Sequence, residues 1–226
     1  MLPKLKVIAI AAVLLLPAAR LIADPDSKSA AGSNDATYSR KIEERVAKIV
    51  ATLELKNEEQ SRRVHAAIVA QYRILNIWHE TNDARLMELK KTTAAPDTEK
   101  GAAAKTEIEQ IHATLKVIHD NYLAQLAKDL SPELVERVKD GMTVGKVQFT
   151  YTGYMQEYPS LTEEQRAKVL EFLKEAREEA MDAGNIDEKS AIFNRYKGRI
   201  NNWLSKQGVD SGKGKKPKAE KKEPAA

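Results

Sequence analysis

The chain has 226 residues, no cysteine and a formal net charge of +4. Without cysteine it holds no disulfide framework, thiolate metal site or lipoprotein anchor, so stability must come from packing. The charge sits at the ends: residues 1–23 carry +3 and residues 205–226 carry +4, leaving −3 on the body between them. A mildly acidic body argues against nucleic-acid binding, which places its basic groups on the folded domain.

The first 23 residues read MLPKLKVIAIAAVLLLPAARLIA. Lys4 and Lys6 precede an apolar run from Val7 to Leu16, and Leu21-Ile22-Ala23 offers a cleavage site before Asp24. This is the pattern of a secretory signal peptide. An apolar run of about ten residues is half of what a bilayer span requires, which disfavours an uncleaved anchor. The expectation is an exported chain, periplasmic or secreted after cleavage near Ala23, with no transmembrane helix in the mature protein.

Residues 24–37 are small and polar and read as a disordered linker. Residues 209–226 form a Lys-rich tail that will not pack; it reads either as a solvated tail or as a tether to anionic surfaces. The domain expected between them is 38–208.

Inside that domain the apolar spacing is helical. From Tyr38 to Leu55, Ile42, Val46, Ile49, Val50 and Leu53 recur at intervals of three to four. Asn57 begins a new helix, with Gln60 placed to close a capping box and Val64, Ile68, Leu75 and Trp78 on its apolar face. Lys90 to Gly101 is a break, with Pro96 and Gly101 as breakers. Ile108, Ile111, Leu115, Ile118 and Tyr122 then make a regular stripe. Ser131-Pro132 is a cap followed by proline at the first helical position, and Gly141 is expected to end that short helix. Thr162 and Gln165 form another capping box before the stripe Val169, Phe172, Leu173, Ala176 and Ala180, closed by Gly184 as a C-terminal cap. The last helix starts near Asp187, buries Ile192, Phe193, Tyr196, Ile200 and Leu204, and stops at Gly208. Gly198 inside it predicts the close approach of a neighbouring helix.

The segment 143–158 is ambiguous. Val147, Phe149 and Tyr151 alternate as in a strand, whereas Val144, Val147, Tyr151, Tyr154 and Tyr158 fit a helix. No partner strand is evident, which favours the helix. The resulting expectation is an all-α fold, a single irregular bundle of about six helices with an aromatic-rich connector.

Four of the twelve aromatic residues lie in that connector: Phe149, Tyr151, Tyr154 and Tyr158. Such a cluster either stacks on a ligand or plugs the end of a bundle. There is no GxSxG, P-loop or Rossmann fingerprint, so no catalytic residue is assigned and no cofactor is expected. His112 and His119 stand about 10 Å apart along one helix, too far to share one metal ion; no metal site is predicted. His79 reads as a helix-surface histidine. The best ligand-binding candidates are Tyr151 and Tyr154 for stacking, Arg177 and Lys197 for carboxylates and Asn201 for hydroxyls. Salt bridges to the abundant Glu are the competing fate of Arg177 and Lys197.

Four blocks carry a family resemblance: TVGKVQFTYTGY (Thr143–Tyr154), LTEEQ (Leu161–Gln165), AREEAMDAG (Ala176–Gly184) and AIFNRYKGRINNWLSKQG (Ala191–Gly208). With the Leu53–His79 region, they resemble the exported bacterial proteins grouped as domain of unknown function 3826. That resemblance implies a link to polysaccharide use and supplies no catalytic residue. Lys90–Lys105 and the Lys-rich tail look peculiar to this chain. Leu161–Gln165 is also similar to the LTxxQ motif of periplasmic stress chaperones. The reading is therefore an accessory protein that binds a saccharide or another exported protein. The alternatives are a periplasmic chaperone or a carbohydrate-active enzyme.

Overall fold

Helix starts marked by a cap in the sequence are helix starts in the computed structural model, which describes residues 30–93 and 98–209, with side chains from residue 37. Seven helices form among the described residues: α1 (Ala30–Leu53), α2 (Glu58–Thr92), α3 (Glu99–Leu126), α4 (Pro132–Met142), α5 (Lys146–Glu157), α6 (Glu163–Met181) and α7 (Ile186–Lys206). The fold is all-α, one helix more than expected. None of these helices is long and apolar enough to cross a membrane. The chain divides into two units, Met1–Tyr38 and Ser39–Ala226. Of the first, residues 30–38 are described and helical, so the helix expected from Tyr38 begins at Ala30, inside the stretch read as a linker. The signal-peptide pattern and residues 210–226 of the tail lie outside the described residues. The buried apolar residues, from Ile42 to Leu204, belong to the second unit.

Asn57, Thr98, Ser131, Thr162 and Asn185 each turn a side-chain oxygen onto a first-turn N–H. A good cap of this kind contributes about 1 kcal/mol. Thr162 and Gln165 complete a reciprocal capping box; the LTEEQ block is a helix start whose Leu161 is buried. At α2 the box is only half made. Gln60 N–H donates to Asn57, but the Gln60 side chain donates to the Asp129 carbonyl instead. Gly101 is no breaker; its N–H donates to Thr98 in the first turn of α3.

Helices α2 and α3 pack as a hairpin. Trp78 donates to Thr114 at 2.9 Å, Arg85 forks onto Glu107 at 2.7 Å through Nε and Nη2, and Arg63 holds Asp129. Helices α6 and α7 make a second hairpin, with α4 and α5 against α6. Its core is aromatic: Tyr154, Tyr158, Phe172, Phe193 and Tyr196 surround Val169, Leu173, Ile200 and Leu204. Each large apolar side chain buried there contributes roughly 1.5–3 kcal/mol. Most of the aromatics therefore fill the interior.

The ambiguous segment is helix α5, which turns Val147, Thr150 and Tyr154 inward at helical spacing. The chain reaches it through an unusual turn. Helix α4 does not end at Gly141, whose bare Cα lets Ile49 of α1 approach; a Cβ there would lie 2.9 Å from the Ile49 Cγ1. It ends in a Schellman motif, with Gly145 N–H on the Asp140 carbonyl and Val144 N–H on the Gly141 carbonyl. The left-handed position, φ +56°, falls on Val144, where a β-branched side chain is strained. Helix α7 ends in the same motif with glycine in that position: Gly208, φ +74°, followed by Val209 on the core.

Two other glycines depart from expectation. Gly184 is not a left-handed cap; a Cβ on it would stand 3.0 Å from the His79 ring, so its role is close packing. Gly198 has the opposite character. A Cβ there would meet nothing within 4 Å, so no neighbouring helix explains it.

Candidate functional site

Helix α5 buries one face on α6 and leaves the other along α7. A groove of about 510 Å³ runs between α5 and α7, within the usual range for small-ligand pockets. Phe149 is 80% exposed on its wall. Gly153, one helical turn on, leaves the backbone bare, since a Cβ there would meet nothing within 4 Å. Gln148, Thr152, Gln156 and Glu157 line the same side, and Lys197 and Asn201 face them from α7.

Tyr154 ties the two walls together. Its hydroxyl donates to Asn201 Oδ1 at 2.8 Å and approaches the Lys197 carbonyl at 3.2 Å. Burial, with Tyr158 and Glu157 nearby, pushes the Tyr154 hydroxyl well above the ordinary tyrosine value, so it stays a donor. Because Asn201 accepts through its oxygen, its amide N–H₂ remains to donate outward. The arrangement combines an aromatic face, side-chain amides that both donate and accept, one cation and one carboxylate.

Three of the five sequence candidates, Tyr154, Lys197 and Asn201, therefore meet in one groove, but Tyr154 is buried in the core and joins it through its hydroxyl, not as the stacking ring expected. Tyr151 does not join them; it is half-buried against the core. Arg177 is a correction. It is 2% exposed and faces α4, where it pairs with Glu136 and with Asp140 at 2.7 Å, besides Glu178 on its own helix. Burial opposes its charge, but the bonds to Asp140 and Glu136 prevail and raise its pKa. Its fork is thus occupied by the protein's own carboxylates. Sequence reasoning does not single out Phe149, Gly153, Gln148 or Gln156 as groove residues. One signal is present: in the helical reading of 143–158, Phe149 is the aromatic that falls off the buried stripe.

A polar junction forms elsewhere on α6. Asp182, its C-cap, receives His79 Nε2 from α2 on its carbonyl at 2.7 Å and His119 Nδ1 from α3 on its carboxylate at 2.8 Å. His79, expected on a helix surface, is thus part of a helix junction. Lys189 of α7 is buried and donates to the Ala180 and Met181 carbonyls at 2.7 and 3.3 Å, closing the C-terminus of α6. These contacts bind helices to each other, and the groups are turned inward. Among the described residues no three His, Asp or Glu are placed to hold a metal ion.

The geometry defines a class first: an all-α domain with an open groove between two C-terminal helices. A family model matches residues 39–223, and the chain belongs to that family, described as "Protein of unknown function (DUF3826)". The bounds of the match enclose Lys90–Lys105 and most of the Lys-rich tail, the two segments expected from the sequence to be peculiar to this chain. No curated protein matches the sequence.

Proposed function

We propose that the protein is an exported accessory factor of polysaccharide use that binds a saccharide in the α5–α7 groove. The observation that carries this is the placement of Phe149, 80% exposed, beside the bare backbone of Gly153 and opposite Asn201 and Lys197. A pyranose presents an apolar C–H face and a rim of hydroxyls. An exposed ring serves the face, and amides that donate and accept serve the rim. The apolar, lysine-led first 23 residues support export. Among the described residues Glu157 is the one carboxylate lining the groove, whereas glycoside hydrolysis usually requires two, so binding is favoured over turnover.

The test is calorimetric titration with neutral and acidic oligosaccharides. Phe149→Ala should weaken binding about ten-fold or more, as loss of an aromatic anchor does, and leave thermal stability unchanged. Asn201→Ala should weaken it as well. Arg177→Ala should lower stability while the affinity of the folded fraction stays the same. Failure of every saccharide to bind, or equal affinity in native protein and Phe149→Ala, would overturn the reading.

A further inference from the structure

A second groove, of about 520 Å³, lies between α1 and the α4–α5 turn. We infer that it binds an amphipathic organic anion: an aliphatic body carrying a carboxylate, sulfate or phosphate head. Lys41, Arg45 and Lys48 line it from α1. They share one helix face and span about 10 Å at 1.5 Å per residue. Several arginines elsewhere find carboxylates, as Arg63 does in Asp129, Arg85 in Glu107 and Arg195 in Glu179. Among the described residues no carboxylate stands within ion-pair distance of Lys41, Arg45 or Lys48; Arg45 lies over the Tyr72 ring at 5.8 Å. Among the described residues Glu44 is the only acid on the wall, so that lining is net positive.

Apart from the Thr52 hydroxyl, the rest of the lining is apolar side chain or bare glycine backbone. Ile49 and Gly141 pack together at its base, and Val144, 63% exposed, stands at its edge. That valine is held in a left-handed conformation that glycine would adopt without strain. A bare inorganic anion would leave the aliphatic wall in water. A saccharide would find no aromatic ring among the lining residues. An alkyl chain with an oxyanion head satisfies both halves: Ile49 and Val144 cover the chain, and the three cations neutralise the head. This site is separate from the α5–α7 groove and does not depend on the saccharide reading.

The test is a titration of the full chain with octyl phosphate below its aggregation threshold, followed by NMR, with inorganic phosphate and octyl glucoside as comparisons. Octyl phosphate should bind saturably, and added salt should weaken it. The double variant Lys41→Gln/Lys48→Gln should bind about ten-fold or more weakly, the loss expected for charge-assisted contacts. Both side chains are exposed, so its circular dichroism and melting point should match the native protein. Inorganic phosphate and octyl glucoside should each bind at least about ten-fold more weakly than octyl phosphate, since each lacks one half of the recognition. Given that result, flotation with phosphatidylglycerol vesicles locates the source: flotation lost in the double variant assigns the head to a lipid, and flotation unchanged by it assigns the site to a free amphiphile. No binding of octyl phosphate, unchanged affinity in the double variant, or equal affinity for octyl glucoside would overturn the proposal.

Discussion

His119 on α3 donates through Nδ1 to the Asp182 carboxylate at the end of α6, at 2.8 Å, across 63 residues of sequence. The bond to Asp182 raises the His119 pKa, against the opposing effect of burial, with Glu178 adding to the rise. The folded state therefore holds this proton more tightly than the unfolded chain does. The stabilisation is fully present below the ordinary histidine value of about 6.5 and is lost as pH rises through the folded value. His119→Ala should cost about 1–3 kcal/mol at pH 5.5 and clearly less at pH 9, the range for a hydrogen bond to a charged group. Urea unfolding of both proteins at the two pH values measures it; an equal cost at both would refute the linkage.

Lys189 behaves in the opposite sense. Burial pulls its pKa down to about 8, although Asp182 opposes the shift. Between that value and the ordinary lysine value of about 10.4, the unfolded chain binds a proton that the folded chain lacks. Stability from this group therefore rises with pH across that window. The gain is on the order of 3 kcal/mol at 1.36 kcal/mol per unit. Lys189→Met should flatten this rise, read from unfolding at pH 7.5 and 9.5. Above about pH 10 the buried hydroxyls of Tyr122 and Tyr154 act against it: burial holds both neutral in the fold, so ionisation of the unfolded chain takes stability away.

The left-handed pair Val144-Gly145 offers a sharper test of backbone strain. Val144→Gly should stabilise the protein by about 1 kcal/mol, the left-handed penalty of about 1–2 kcal/mol less the added freedom of the unfolded chain. Gly145→Ala should destabilise by about 1 kcal/mol for the same backbone reason, since a Cβ there would meet nothing within 4 Å. Thermal unfolding of the two variants decides it; shifts of the same sign would show that the turn is governed by something other than φ.

Alanine at Gly141 and at Gly198 should separate two roles of helical glycine. At Gly141 the new Cβ meets buried Ile49 at 2.9 Å, so overpacking should cost about 1–3 kcal/mol. At Gly198 the space is open, and the higher helix propensity of alanine should add about 1 kcal/mol. Chemical denaturation of the two variants checks the opposite signs. A loss of stability at Gly198→Ala would mean that its open face is not what the geometry shows.

The elements most legible in the sequence are those settled within one helical turn. Asn57, Ser131 and Thr162 cap N–H groups three residues away, and each is marked in the sequence, whereas the caps Thr98 and Asn185 emerge only in the structure. The Gly208 terminus is legible on the same ground, because its Schellman bonds reach back only three and five residues. The apolar stripes of α2, α6 and α7 are legible because burial of one helix face repeats every three to four residues.

Other features depend on partners distant in the chain, and no local pattern encodes them. Arg177 reads as an open cation until α4 brings Glu136 and Asp140 to it. Gly184 reads as a cap until the His79 ring arrives from 105 positions earlier. Segment 143–158 stays balanced between strand and helix because both periods fit its residues, and packing on α6 decides between them. The same holds for the grooves. The sequence by itself determined the all-α class, the caps Asn57, Ser131 and Thr162 and the buried faces of α2, α6 and α7, because those come from interactions within a turn or from the period of one helix. Only the tertiary structure decided that Tyr154 meets Asn201 and that Lys48 and Val144 line one groove, because a groove has two walls and each wall comes from a different part of the chain.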